Sequence, residues 1–182
     1  MGTRGLTKVI YKGETIVAQY GQWDHYPEGQ GVTLFNTLKD PANVENFIKR
    51  IPLIYYPSDL ELSAIFKPFE DGSMEGMMTM DSGNKFAEVF PTLTRNTGGQ
   101  IFKVIADYNN APIPISKDEE FENDELFCEG IYTVDLDKEL FHTQFSRYKS
   151  AWDISLVLAF ESIREMSVDD YLISCKDSQL VR

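Results

Sequence analysis

Between Gly21 and the Gly29/Gly31 pair the chain places Trp23, Asp24, His25, Tyr26, Pro27 and Glu28. Three ring side chains, two carboxylates and bounding glycines in so short a stretch describe a shaped surface or a site. Asp24 and His25 are the only Asp-His neighbours, but adjacent residues of strands and loops usually point apart, so they make no metal site by themselves. The second histidine, His142, falls inside an expected strand, and two histidines with scattered acids leave metal binding without support. No Gly-x-Ser-x-Gly elbow is present to build a Ser-His-Asp triad on. Gly29-Gln30-Gly31 is followed by no Walker-type lysine. The residues assign no catalytic group, no metal and no cofactor.

The other stretch with chemical content is Asp118, Glu119, Glu120, Phe121, Glu122, Asn123, Asp124 and Glu125. Six carboxylates around one phenyl ring read either as a solvated connection between strands or as a phosphate-like track. Such a track would dock on a basic groove of another protein, with Phe121 as its exposed anchor. The candidate partner-binding residues are therefore Trp23, Asp24, His25, Tyr26 and Glu28, then Asp118, Glu119, Glu120, Phe121, Glu122, Asp124 and Glu125. In the first set the rings of Trp23 and Tyr26 are expected to pack on the sheet's end, with Asp24 and Glu28 left accessible.

The charge balance agrees with a protein partner. The net charge is −12. Residues 1–100 carry nine Lys/Arg against twelve Asp/Glu, and residues 101–182 carry eight against seventeen. Such a field repels nucleic-acid phosphates and attracts basic surfaces, which disfavours direct DNA or RNA binding. A length of 182 residues with 42% hydrophobic residues is one domain spanning 1–182, large enough to bury a core. No apolar run approaches the roughly 20 residues of a membrane-spanning helix. With no apolar stretch of secretory type, the expected location is the cytoplasm. Gly2 is not an expected lipidation site, because Leu6 stands where the myristoylation pattern has Ser or Thr. Cys128 and Cys175 fit neither a zinc spacing nor a disulfide framework and are expected to be buried free thiols.

These residues need elements to position them. Residues 3–11 and 15–20 read as a hairpin reversed at Lys12-Gly13-Glu14. Residues 32–38 form a helical turn. Asp40 caps a helix begun by Pro41, with Val44, Phe47, Ile48 and Ile51 on its apolar stripe and Pro52 ending it. A second helix starts at Ser58 or Asp59 and should bury Leu62, Ile65 and Phe66. Residues 69–84, holding Met74, Met77, Met78 and Met80, read as a loop covering the core or as a binding lid. Residues 85–90 look helical. Residues 100–108, apolar on both alternating sets except at Lys103, read as a buried strand. Residues 128–134 and 139–145 form a hairpin, residues 154–160 a strand or helix, and Ser167 caps a terminal helix. The expected class is α+β, with an N-terminal hairpin and a mostly antiparallel sheet interrupted by helices.

Two resemblances follow from the opening residues. A strand starting near residue 2, a hairpin and a polar loop resemble N-terminal-nucleophile hydrolases, which attack with the side chain of the first processed residue. Here that residue would be Gly2, which has no side chain, and Thr3 lies one position further in, so what this resemblance implies, as the alternative function, is a hydrolase with a noncanonical nucleophile. The opening MGTRG, followed by WDHYPEG, is also similar to small phage and prophage proteins. By size and acidity the chain resembles anti-CRISPR inhibitors. That resemblance implies a non-enzymatic inhibitor in the cytoplasm of a bacterial host, whose partner is a protein with a basic nucleic-acid-binding groove such as an RNA-guided Cas nuclease.

Overall fold

The computed structural model describes residues 2–72, 76–146 and 153–179. The chain opens with strands β1 (Gly5–Tyr11) and β2 (Glu14–Gly21). Lys12 and Gly13 both have positive φ, the combination that two-residue hairpin turns require. A π-helical turn at Pro27–Gly31 leads into helix α1 (Val32–Leu38), followed by α2 (Pro41–Arg50), whose Asp40 cap accepts from Ala42 N at 3.0 Å. Then come β3 (Ile54–Tyr55), α3 (Asp59–Phe66), α4 (Met80–Val89), α5 (Ile101–Asp107) and β4 (Ile113–Pro114). Strands β5 (Gly130–Asp135), β6 (Leu140–Phe145) and β7 (Ile154–Ala159) precede α6 (Phe160–Glu165) and α7 (Val168–Asp177). Reciprocal capping boxes start two of these helices, Ser58 with Glu61 and Ser167 with Asp170.

The main sheet has the order β2-β1-β5-β6-β7. Every neighbouring pair is antiparallel except β1 and β5, which run parallel with Gly5 opposite Gly130. This is the expected α+β class. Alternate residues of a strand face opposite sides, and the two sides differ. On one, Val9, Val17, Tyr132, Val134 and Phe141 join Leu34, Phe35, Phe47, Phe102, Ile105 and Tyr171 of the helices in the main core. Ring pairs knit that layer: Phe47 stacks on Phe102 with centroids 4.2 Å apart, and Phe35 on Tyr171 at 4.7 Å. On the other side, Leu6, Ala18, Cys128 and Ile131 form a small cluster under Phe121. Cys128 and Cys175 are buried and form no disulfide. Among the described residues no helix is long and apolar enough to cross a membrane.

Three expectations are corrected. The segment expected as a buried strand at 100–108 is the helix α5, preceded by a 3-10 turn at Gly98–Gln100. Its buried residues Ile101, Phe102, Ile105 and Ala106 are spaced for one helix face. An apolar run with one lysine fits that spacing as well as it fits a strand buried on both sides. Helix α3 fully buries none of its residues. The methionine-rich stretch does not cover the main core: Met77 and Met80 are exposed, and α4 has already begun at Met80. Met74 lies outside the described residues. Instead α3 and α4 share a separate ring cluster of Phe66, Phe69, Phe86 and Phe90. The stretch carrying it leaves and rejoins the fold at one residue, since Tyr55 pairs with Pro114 and Thr92 Oγ1 donates to Pro114 O at 2.6 Å.

Candidate functional site

Gly21, Gly5 and Gly130 stand side by side across β2, β1 and β5. They form a strip of sheet with no side chains, and the imidazole of His25 lies on it. A Cβ added to Gly21 would sit 1.9 Å from His25 Cε1, and one added to Gly5 would sit 2.3 Å from His25 Cδ2. Both are far inside van der Waals contact, so the slot exists only because these residues are glycine. His25 is fully buried.

Bonds to the backbone of the loop fix it in place. His25 N donates to Thr3 O at 3.2 Å, and Tyr132 Oη donates to His25 O at 2.8 Å. The Nδ1 of His25 is 3.2 Å from Trp23 O. A carbonyl only accepts, so the neutral ring carries its proton on Nδ1 and leaves Nε2 a bare acceptor. That Nε2 is buried and without a partner among the described residues. Burial lowers the His25 pKa to about 4, against a smaller opposing pull from the Trp23 carbonyl. Gln30 continues the stitching: its Nε2 donates to Trp23 O at 3.3 Å and its Oε1 accepts from Gly99 N at 2.7 Å.

This geometry reverses the expected packing of the loop. His25, not Trp23, is the ring that fills the sheet's end, while Trp23 is 49% exposed and Tyr26 36%. The imidazole is the ring that sits on the glycine strip, and Trp23 is pushed outward over Gly2, where an added Cβ would meet its ring at 2.2 Å. Asp24 and Glu28 are exposed, as expected. Asp24 takes a positive φ of 59°, which its short polar side chain tolerates.

The acidic stretch approaches from the opposite face. Residues Glu119–Asn123 form a 3-10 turn. Phe121 is not the exposed anchor expected for it: it is half-buried, edge-on to Tyr20 with centroids 4.7 Å apart. Four of the six carboxylates hold the stretch in place. Asp118 accepts from Tyr20 N at 3.2 Å, and its own N donates to Ala18 O at 2.8 Å. Glu119 pairs with Lys117 at 3.3 Å, Glu122 pairs with Lys8, and Asp124 accepts from Leu126 N and Phe127 N at 2.9 Å. Glu120 and Glu125 remain exposed and unpaired among the described residues. A depression of about 430 Å³ lined by Lys117, Asp118, Glu120, Phe121 and Asp124 lies alongside.

The two stretches meet at residues 2–5. Trp23 covers Gly2, while the Arg4 guanidinium lies over the Phe127 ring at 4.4 Å and Arg4 N donates to Glu129 at 3.1 Å. Leu126 and Phe127 are 70% and 46% exposed. Neither had been singled out from the sequence. The two residues following an acidic run that ends in a turn were the available signal. Thr3 is buried, and among the described residues its link to His25 is a backbone bond, with Asp24 turned to solvent. His142 stands apart on β6, its Nε2 3.0 Å from Ser155 Oγ. Among the described residues no group of three or more His, Cys, Asp and Glu is placed to hold a metal ion. Compared with known protein families, curated proteins and solved structures, the chain matches none.

Proposed function

We propose that the chain is a non-catalytic, acidic protein-binding module that blocks a nucleic-acid-handling protein, in the manner of phage inhibitors of host defence of the anti-CRISPR kind. The reading rests on the meeting of the two stretches at residues 2–5. Trp23 and Phe127 meet Gly2 and Arg4 there, and they and Tyr26 and Leu126, close to them in the chain, are exposed, with the carboxylates of Asp24, Glu28 and Glu125 in the same two stretches. Exposed aromatic and apolar groups with a charged surround are what protein interfaces use. The net charge of −12 selects a basic partner and works against nucleic acid itself. The partner so described has a basic nucleic-acid-binding groove, an RNA-guided Cas nuclease being the first to test, met in a bacterial host cytoplasm.

The test is competition. The protein is incubated with such a nuclease before or after labelled target DNA is added, at low and physiological salt. The expected result is loss of DNA binding only when the protein arrives first, weakening with salt because surface attraction is screened over about 8 Å at physiological ionic strength. Replacing Glu120 and Glu125 with Gln should slow association more than it speeds dissociation. DNA binding untouched by the protein across a panel of basic nucleic-acid-handling proteins would end this reading.

A further inference from the structure

We propose that His25 is a proton-operated latch: the loop at residues 22–31 stays closed on the sheet only while this imidazole is neutral, and protonation releases it. The argument is geometric. The ring fills a slot walled by Gly5 and Gly21, with the backbone of Gly130 against its carbonyl. Its one ring bond, Nδ1 to Trp23 O, is already made with the proton on Nδ1. A second proton must go to Nε2, a buried atom that makes no hydrogen bond among the described residues in the closed form.

Among the described residues no charged side chain is seen against the ring to offset its charge. On β1 Gly5 meets the ring and Thr7 is next on the same face, with Arg4 turned onto Phe127 and Lys8 paired to Glu122. On β2 Gly21 meets the ring, and Gln19, two residues back on the same face, does not titrate. On β5 they are Gly130 and Tyr132, whose ring is 6.0 Å away and whose hydroxyl is kept protonated by burial. Glu129, ahead of β5, accepts from Arg4 N. Within the loop, Asp24 and Glu28 are exposed. Because the closed state holds His25 near 4 and an open loop would return it to its ordinary 6.5, the open form binds more protons between those values. Closure is at full strength above pH 6.5 and is lost as pH falls toward 4. Over that window the open-to-closed ratio rises about ten-fold per pH unit, roughly 300-fold in all.

The consequence falls on the docking loop of the proposed function, because Trp23 and Tyr26 flank the latch, but the test needs no partner. Trp152→Phe leaves Trp23 as the one indole. Its emission and far-UV circular dichroism are followed from pH 7.5 to 4, while NMR of the imidazole carbons tracks His25, with His142 as internal reference. The expected result is a change at Trp23 that follows the protonation of His25 below pH 6.5 while the sheet signal holds, and that disappears in His25→Asn. The latch is overturned if His25 protonates without a response at Trp23, if the response persists in His25→Asn, or if the sheet is lost at the same midpoint. Should His25→Asn fail to fold, the coincidence of the His25 and Trp23 titrations in the Trp152→Phe protein decides alone. A loop that opens with His25 in a protein that binds no basic partner would uphold the latch and count against the function.

Discussion

The loop at 22–31 and the stretch at 118–129 come together at the residues leading into β1, and they attach to opposite faces of the sheet by different means. The loop is held by fit: a ring in a slot of glycines, with the His25 backbone bonded to Thr3 O and to the Tyr132 hydroxyl. The acidic stretch is held by one half-buried ring and several charged contacts at the surface. A fitted contact tolerates no added atom but ignores salt. A set of surface charges loses members gracefully and weakens in salt. The two parts of the proposed binding surface should therefore fail independently, and each can be removed to test the other.

The largest effect is expected from Gly21→Ala, whose new Cβ would sit 1.9 Å from the buried imidazole. The closed loop has no space for both that atom and the ring, so the loss in urea unfolding should reach the upper part of the ~1–3 kcal/mol typical of overpacking. Gly83→Ala, in open space on α4, should instead stabilise by about 0.5–1 kcal/mol. Equal effects at the two glycines would dissolve the fitted-slot picture. Next comes Phe121→Ala. A fully buried Phe costs about 3–5 kcal/mol on truncation, and this half-buried one should cost roughly 2. If the NMR shifts of His25 move with it, the two attachments are not independent. Tyr132→Phe removes the hydroxyl that donates to His25 O. Leaving that buried carbonyl unpaired should cost about 1–2 kcal/mol, and no change in the melting temperature would argue that the loop is held by the slot alone. The smallest effect belongs to Glu122→Gln at the Lys8 pair, under about 1 kcal/mol in dilute buffer and absent at 1 M salt. A salt-independent loss there would move the acidic stretch into the fitted class.

Much of this was legible beforehand because its causes are local. Asp40 before Pro41, Ser58 ahead of Glu61 and Ser167 ahead of Asp170 announce helix starts through bonds to residues two or three away. Lys12-Gly13 announces its hairpin in the same way. The slot for His25 was not legible, and β1–β2 shows why. Counting back from the turn, Tyr11 pairs with Glu14 and Ile10 with Thr15, which would put Gly5 opposite Tyr20. A bulge after that pair shifts the register by one, so Val9 meets Val17 and Gly5 meets Gly21. One extra residue aligns the glycines, and Gly130 joins them only through a partner strand far along the chain. Helix α5 was misread for the opposite reason: its spacing fits two periods, and only its position against α2 decides between them. Phe121 was misplaced because the hydrophobic pocket it covers is assembled from Leu6, Ala18, Cys128 and Ile131 on three separate segments.

The parallel pairing of β1 with β5 has a consequence in the order of synthesis. Gly5 and its partner Gly130 are separated by almost the whole helical section of the chain. At ~5–20 residues per second, the strand that ends as an interior member of the sheet spends roughly 6–25 s on the ribosome with one side unpaired. During that time the glycine strip is two-thirds built and β1 is a free edge, open to any extended segment that reaches it. A strand made well before its partner is thus among the last to be finished, and the cell must keep that edge from strangers until residues 130–135 arrive.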